Sequence, residues 1–317
     1  MKKVKILITP GDAAGVGPEV ALKASRATDY GLRARDYVFT GPKWLWKQTA
    51  DSFSLPLPES FLDVPSLKDI PETKIEFGEV SEILAKIAME CVRIAAESCV
   101  KKEADAMVTA PFTKAGIHLA GYKYQGHTDF LAEITKTKKH AMMLSSNNLR
   151  VLMVTHHQSL LSVPGDLSIE NIIEKIELAH FAGKKLGITN PKIAVCGLNP
   201  HSGELGAFGN EEIEVISPAI NEAQKSGINA EGPVPADTVF LRAANSEFDF
   251  VIAMYHDQGL IPVKLNGLAK VVNTTLGLPI IRTSPGHGSA YDIAGKGMAD
   301  ESSMAEAINM AIKFCKN

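Results

Sequence analysis

Long hydrophobic runs are missing from this 317-residue chain. No stretch approaches the ~20 apolar residues needed to span a bilayer. The opening Met1-Lys2-Lys3-Val4-Lys5-Ile6-Leu7-Ile8 looks superficially like a signal peptide. Its apolar run stops at Ile8, too short for the core of one, and a glycine-rich loop follows at once. A first β-strand is therefore expected. Cysteine is scarce: Cys91, Cys99, Cys196 and Cys315 show no metal-knuckle spacing. Reduced thiols in a cytoplasmic protein are the expectation. Neither sign of charge dominates, since 33 Lys and Arg against 36 Asp and Glu leave −3. No bulk attraction to nucleic acid or to a membrane is implied. Internal repeats, low-complexity tracts and sharp linkers are also lacking.

What is present is an ordinary globular composition, 45% hydrophobic, long enough for one large or two medium domains. β-like runs alternate with helical stretches: Val4–Ile8, a helix from Pro18, Tyr37–Thr40, and a long amphipathic helix over residues 79–100. A strand at Asp105–Thr109, a helix over Leu131–Thr135, and a helix capped by Ser168 and stopped by Gly187 follow. The chain ends in a helix from about Ser302 to Phe314. Residues 52–72 carry Pro56, Pro58, Pro65 and Pro71 and read as a surface excursion. Such alternation predicts an α/β fold with a parallel or mixed sheet.

Three histidines stand just after apolar β-like runs. His157 follows Val151–Val154, His201 follows Ile193–Cys196, and His256 follows Phe250–Met254. Strand ends are where α/β proteins place their sites. Three neutral imidazoles also suit a divalent metal that keeps open positions for substrate. His156 adjoins His157, and neighbours on an extended chain point to opposite faces, so one of the two is expected to ligate. Asn199, Pro200 and Asp257 supply polar neighbours able to orient an imidazole.

Other motifs add chemistry. Thr9-Pro10-Gly11-Asp12-Ala13-Ala14-Gly15-Val16-Gly17-Pro18-Glu19 follows a strand and opens a helix. Its glycines permit close ligand approach, although a plain tight βα turn would use the same residues. Gly126-His127-Thr128-Asp129 precedes a helical stretch; Thr128 is either its cap or a ligand for an anionic substrate group. Lys264, Asn273 and Arg282 supply two cations and an amide suited to a phosphate or carboxylate. The run His287-Gly288-Ser289-Ala290-Tyr291-Asp292-Ile293-Ala294-Gly295-Lys296-Gly297 suits a loop around a nucleotide, with Asp292 available to ribose hydroxyls.

Taken together, Gly-Asp-x-Ala-Gly-x-Gly-Pro-Glu, Gly-His-Thr-Asp, Asn-Pro-His-Ser-Gly-Glu, Ala-Asp-Thr, Tyr-His-Asp-Gln-Gly and residues 273–297 resemble the 4-hydroxythreonine-4-phosphate dehydrogenase family of pyridoxal phosphate biosynthesis. The resemblance runs from about residue 5 to 316. The loop 287–297 also looks like the adenosine loop of isopropylmalate and isocitrate dehydrogenases. The resemblance implies two α/β/α lobes around a cleft rather than a standard Rossmann domain. One lobe, residues 1–130 plus 262–317, would bind the nucleotide; the other, 131–261, would hold metal and substrate and dimerise.

It further implies oxidation of 4-phosphooxy-L-threonine at C3 by NAD or NADP, then loss of carbon dioxide. His157, His201 and His256 match the family's ligands for a divalent ion (Zn, Mg, Co or Mn). His127, Thr128, Lys264, Asn273 and Arg282 match its substrate residues, and Gly11, Asp12, Gly288, Ser289, Ala290 and Asp292 fall in the nucleotide loops. Asp237, Asp257 or a metal-bound water is expected to be the general base, with Lys264 a proton donor to the enolate. A homodimer with a shared site is implied. Two departures stand out: His156 replaces a Thr beside the first metal histidine, and Pro285-Gly286 replace a Val-Asp pair. Dehydrogenases of phosphorylated sugar acids or of an aromatic dihydrodiol stay open, as do a metal-dependent aldolase or hydrolase and a nucleotide-binding protein without turnover.

Overall fold

The computed structural model describes residues 4–26, 37–124 and 126–316. The chain forms two compact units, residues 1–138 with 272–316, and residues 139–271.

The first unit begins with β1 (Ile6–Thr9), α1 (Gly17–Ala24), β2 (Tyr37–Thr40), α2 (Lys43–Phe53), β3 (Phe61–Leu62), α3 (Glu82–Val100), β4 (Ala106–Thr109), α4 (Lys114–Leu119) and α5 (His127–Ile134). The second holds β5 (Ala141–Ser146), β6 (Leu149–Met153), α6 (Val163–Asp166), α7 (Ile169–Lys185), β7 (Ile193–Cys196), α8 (Ser217–Lys225), β8 (Ala230–Val234), α9 (Ala236–Ala244), β9 (Phe250–Ala253) and α10 (His256–Leu265). The chain then completes the first unit with β10 (Val272–Leu276), β11 (Ile281–Pro285) and α11 (Ser302–Lys316). The expected α/β class holds. The excursion over residues 52–72 is partly a strand, since β3 pairs parallel with β2.

In the first unit the strands run β3-β2-β1-β4-β11-β10, all parallel except β10 against β11. Every residue of β1, β2 and β4 is buried, as expected of strands covered on both faces. Leu7, Val38 and Met107 share one face, packed with Met89, Val92 and Ala96 of α3. Ser81 caps α3 by accepting the Leu84 N–H, so the helix starts a turn later than periodicity alone indicated. The strand order reverses between β1 and β4, and such a switch point opens a crevice at the carboxyl ends of the strands.

In the second unit the order is β5-β6-β9-β7-β8, parallel apart from β5 against β6. Val151, Met153, Ala194, Cys196, Val251 and Ala253 share a core with Val239, Ala243, Leu260 and Val263 from α9 and α10. Because β6, β9 and β7 are parallel neighbours, the segments leaving their carboxyl ends emerge at one edge of the sheet. Those segments carry His157, His256 and His201.

Candidate active site

Arg282 sits on β11, 4% exposed. Its Nε and Nη2 donate to Thr109 Oγ1 at 3.1 and 2.7 Å, and its Nη1 to Thr275 Oγ1 at 3.0 Å. Thr275 lies directly opposite Arg282 in the antiparallel register, and Thr109 ends the neighbouring parallel strand β4. Two hydroxyls are thus its partners, and among the described residues no carboxylate pairs with it. Burial lowers its pKa to about 10, which leaves it cationic at neutral pH. An unpaired buried guanidinium is costly unless an anion arrives to meet it.

His127 opens α5 and is also buried. Its ring stacks on Phe112, with centroids 5.3 Å apart. Burial, with the charge of Arg282 adding to it, pushes its pKa down to about 3, so the imidazole is neutral. Its Nε2 and the Oδ1 of Asn273 are buried with no hydrogen-bond partner among the described residues. Gly126 occupies the cap position, so Thr128 lies inside the first turn and is not the cap. The helix begins earlier than its apolar residues indicated because His127 is itself a core side chain.

The glycine loop meets the C-terminal loop in the same unit. Gly11 has φ +62° and a Cβ there would strike Pro111 O at 2.3 Å. Gly15 abuts Ser289, whose carbonyl accepts the Val16 N–H at 2.9 Å. Asp12 is buried, accepts the Ala14 N–H at 3.1 Å and accepts the Tyr291 hydroxyl proton. Burial raises its pKa, and these hydrogen bonds oppose the shift. Asp12 therefore fastens the loop of residues 286–297 rather than standing open to solvent. Gly288 and Asp292 are exposed, Ala290 is half-buried and Ser289 is buried.

In the second unit, His156, His157, Tyr255, His256 and Asp257 line a cavity of about 480 Å³. The His157 and His256 ring centroids lie 5.8 Å apart. Two imidazoles on one tetrahedral ion at about 2.1 Å place their centroids roughly 5 Å apart, so this pair fits a shared cation. Asp257 Oδ1 holds His256 Nδ1 at 2.6 Å, the usual way a carboxylate orients a ligating imidazole. His156 and His157 were expected on opposite faces. Both line the cavity, because β6 ends at Met153 and the chain then turns, with Gln158 N–H donating to His156 O at 2.8 Å.

His201 stands exposed on its own loop, its centroid 6.3 Å from that of Phe208. Among the described residues no three His, Cys, Asp or Glu side chains stand together as a metal-holding group. One chain thus brings together two of the three expected ligands. From His201 to Leu205 the φ angles are 53, 52, 80, 44 and 56°. Left-handed backbone costs a non-glycine residue roughly 1–2 kcal/mol, so the surroundings must impose it. Asp237 and Lys264 are exposed on α9 and α10.

A family model described as pyridoxal phosphate biosynthetic protein PdxA matches residues 35–311. The chain belongs to that family. A protein of Oceanobacillus iheyensis named as a candidate D-threonate 4-phosphate dehydrogenase is 45% identical, covering 99% of this chain and 98% of its own. A 4-hydroxythreonine-4-phosphate dehydrogenase of Sulfurihydrogenibium is 41% identical over 98% of each. The crystal structure of 4-hydroxythreonine-4-phosphate dehydrogenase from Klebsiella pneumoniae superposes with a TM-score of 0.88 at 35% identity, covering 100% of this chain and 99% of that one. The PdxA resemblance read from the motifs therefore holds over nearly the whole length. Sequence reasoning missed Thr109, Thr275 and Phe112. Thr109 at a strand end was the one available signal; the other two depend on pairing and stacking between distant segments.

Proposed function

We propose that this chain is an NAD(P)- and divalent-metal-dependent dehydrogenase of a phosphorylated 3-hydroxy acid, with 4-phosphooxy-L-threonine as substrate and 3-amino-2-oxopropyl phosphate as product after decarboxylation. Buried Arg282, hydrogen-bonded to two threonine hydroxyls and, among the described residues, to no acid, carries the reading: it is a ready partner for a phosphate dianion. Neutral His127 and Asn273 offer further polar atoms beside β11. Binding energy from the phosphate end then aligns a carbon remote from it.

His157 and His256 would hold the cation, oriented by Asp257, with His201 as third donor from a second copy. When bound, such a cation acidifies the C3 hydroxyl and later polarises the ketone. Asp237 or Asp257 would accept the hydroxyl proton, and a bound nicotinamide would be the acceptor for the hydride leaving C3. Loss of carbon dioxide leaves an electron pair on C2, and Lys264 returns a proton there. The loops at Gly11–Asp12 and 288–292 receive the nucleotide, and Asp292 disfavours a 2′-phosphate, which favours NAD over NADP. Zn, Co, Mn and Mg all remain compatible with these donors and the substrate's oxygens.

A second reading takes 4-phospho-D-threonate as substrate, because the 45%-identical relative carries that name. It keeps the same phosphate site and changes the group at C2. The test is NADH formation from a panel of phosphorylated hydroxy acids, with and without chelator, in native and Arg282→Met protein. Native turnover should require the phosphate and stop on chelation. Losing a buried charge-assisted contact costs about 2–4 kcal/mol, so kcat/KM should fall about 30- to 1,000-fold for phosphorylated substrates only. An equal loss with unphosphorylated analogues would make Arg282 structural.

A further inference from the structure

The strained His201 loop is tied to the His256 segment by one side chain. Gln258, two residues beyond His256 on α10, accepts the Met254 N–H on Oε1 at 2.6 Å and donates Nε2 to Gly197 O at 2.8 Å. Met254 ends the run leading into His256, and Gly197 opens the loop leading to His201. The same loop is clamped from the other side by Glu212, which is 2% exposed. Its Oε1 accepts the N–H groups of Leu198 and Asn199, both at 2.7 Å, and its Oε2 accepts Asn199 Nδ2 at 2.9 Å. Glycine is needed where these groups converge. A Cβ on Gly197 would lie 2.8 Å from Ser202 Oγ and 3.1 Å from Glu212 Oε1, and one on Gly203 would lie 2.6 Å from Glu212 Oε2.

The chemistry of the bridge is selective. It needs one acceptor and one donor at the end of a single side chain, which a primary amide supplies. A glutamate would still accept from Met254 but would set its second oxygen against the Gly197 carbonyl. We propose that Gln258 is a positioning residue: braced by Glu212 across the loop, it fixes the His201 loop relative to His256. Both ends of its amide are committed to backbone groups. The proposal rests on the reading of His201 and His256 as metal ligands only for its consequence, since the placement of the loop can be measured without metal.

The test compares native protein with Gln258→Glu, first by hydrogen exchange of the segment 197–206 in metal-free protein, then by Co(II) titration. Exchange at Leu198 and Asn199 should accelerate at least tenfold while the strands β7 and β9 keep their protection. Co(II) affinity should fall about 10- to 100-fold, the range for losing a group that orients a metal ligand, with KM for the phosphorylated substrate unchanged. Loop exchange within twofold of native would overturn the proposal. If Gln258→Glu does not fold, Glu212→Gln takes its place. It keeps the shape but sets a donor against Asn199 Nδ2, and loop exchange unchanged from native would again overturn the brace. A native protein that binds no Co(II) would remove the metal reading, and loop exchange would still decide the positioning role.

Discussion

Arg282 and His127 meet burial in opposite ways. The guanidinium keeps its proton because even a pKa of about 10 lies well above neutrality, whereas the imidazole, pushed to about 3, gives its proton up. The result is one fixed cation beside one neutral ring. The pH consequence follows from the second group. An unfolded chain would bind a proton at His127 near pH 6.5, while the folded one binds it only near 3. Stability from this residue is complete above the unfolded pKa and is lost as pH falls through that window, with a slope approaching 1.4 kcal/mol per pH unit. In urea unfolding at pH 7, 5.5 and 4.5, His127→Phe should keep the stack on Phe112 and flatten the acid-side decline. Parallel declines in both proteins would show that protons reach His127 in the native state.

At the scale of elements, the glycine loop after β1 is held by the C-terminal loop. The Val16 N–H reaches Ser289 O, Tyr291 reaches Asp12, and a Cβ on Gly15 would sit 2.6 Å from the Ser289 carbonyl. Backbone cannot yield to such a contact as a flexible side chain would. Gly15→Ala should therefore displace residues 287–292, costing about 1–3 kcal/mol of stability. If those residues receive the nucleotide, NADH affinity measured by fluorescence titration should fall at least tenfold, with KM for the phosphorylated substrate little changed. Stability lost with NADH affinity intact would leave the contact as packing alone.

For the molecule as a whole, the second unit exposes several large apolar side chains. Leu161 is 91% and Leu205 98% exposed, and Leu160, Leu241, Leu265 and Leu268 are also open. Among the described residues no helix is long and apolar enough to cross a membrane. With His157 and His256 in one cavity and His201 outside it, a second copy as donor of His201 makes a sharp forecast. His201→Ala and His256→Ala, each inactive alone, should regain activity after subunit exchange, because one of the two sites in a mixed dimer is then intact. His157→Ala mixed with His256→Ala should stay inactive, since both side chains belong to one chain's cavity. Exchange shown by mass spectrometry without recovery in the first pairing would refute the shared site.

The sequence by itself determined the local matters. The periods of apolar residues located the strands before His157, His201 and His256, and the cap at Ser168, because these signals act within a turn or two of backbone. Motif spacing likewise put the glycine loop between a strand and a helix. Only the tertiary structure decided which distant segments meet. Residues 109 and 282 are far apart in sequence, and β4 and β11 become neighbours by burying their faces between α3 and α11, which no local pattern encodes. The same holds for Thr275 opposite Arg282, for Phe112 stacked on His127, and for His156 turning into the cavity with His157. It holds also for Gln258 and Glu212, whose polar groups are committed in the fold to backbone groups up to 61 residues away. Pairing of this kind depends on strand register and on the need to satisfy buried polar atoms, and both arise only when the chain is packed.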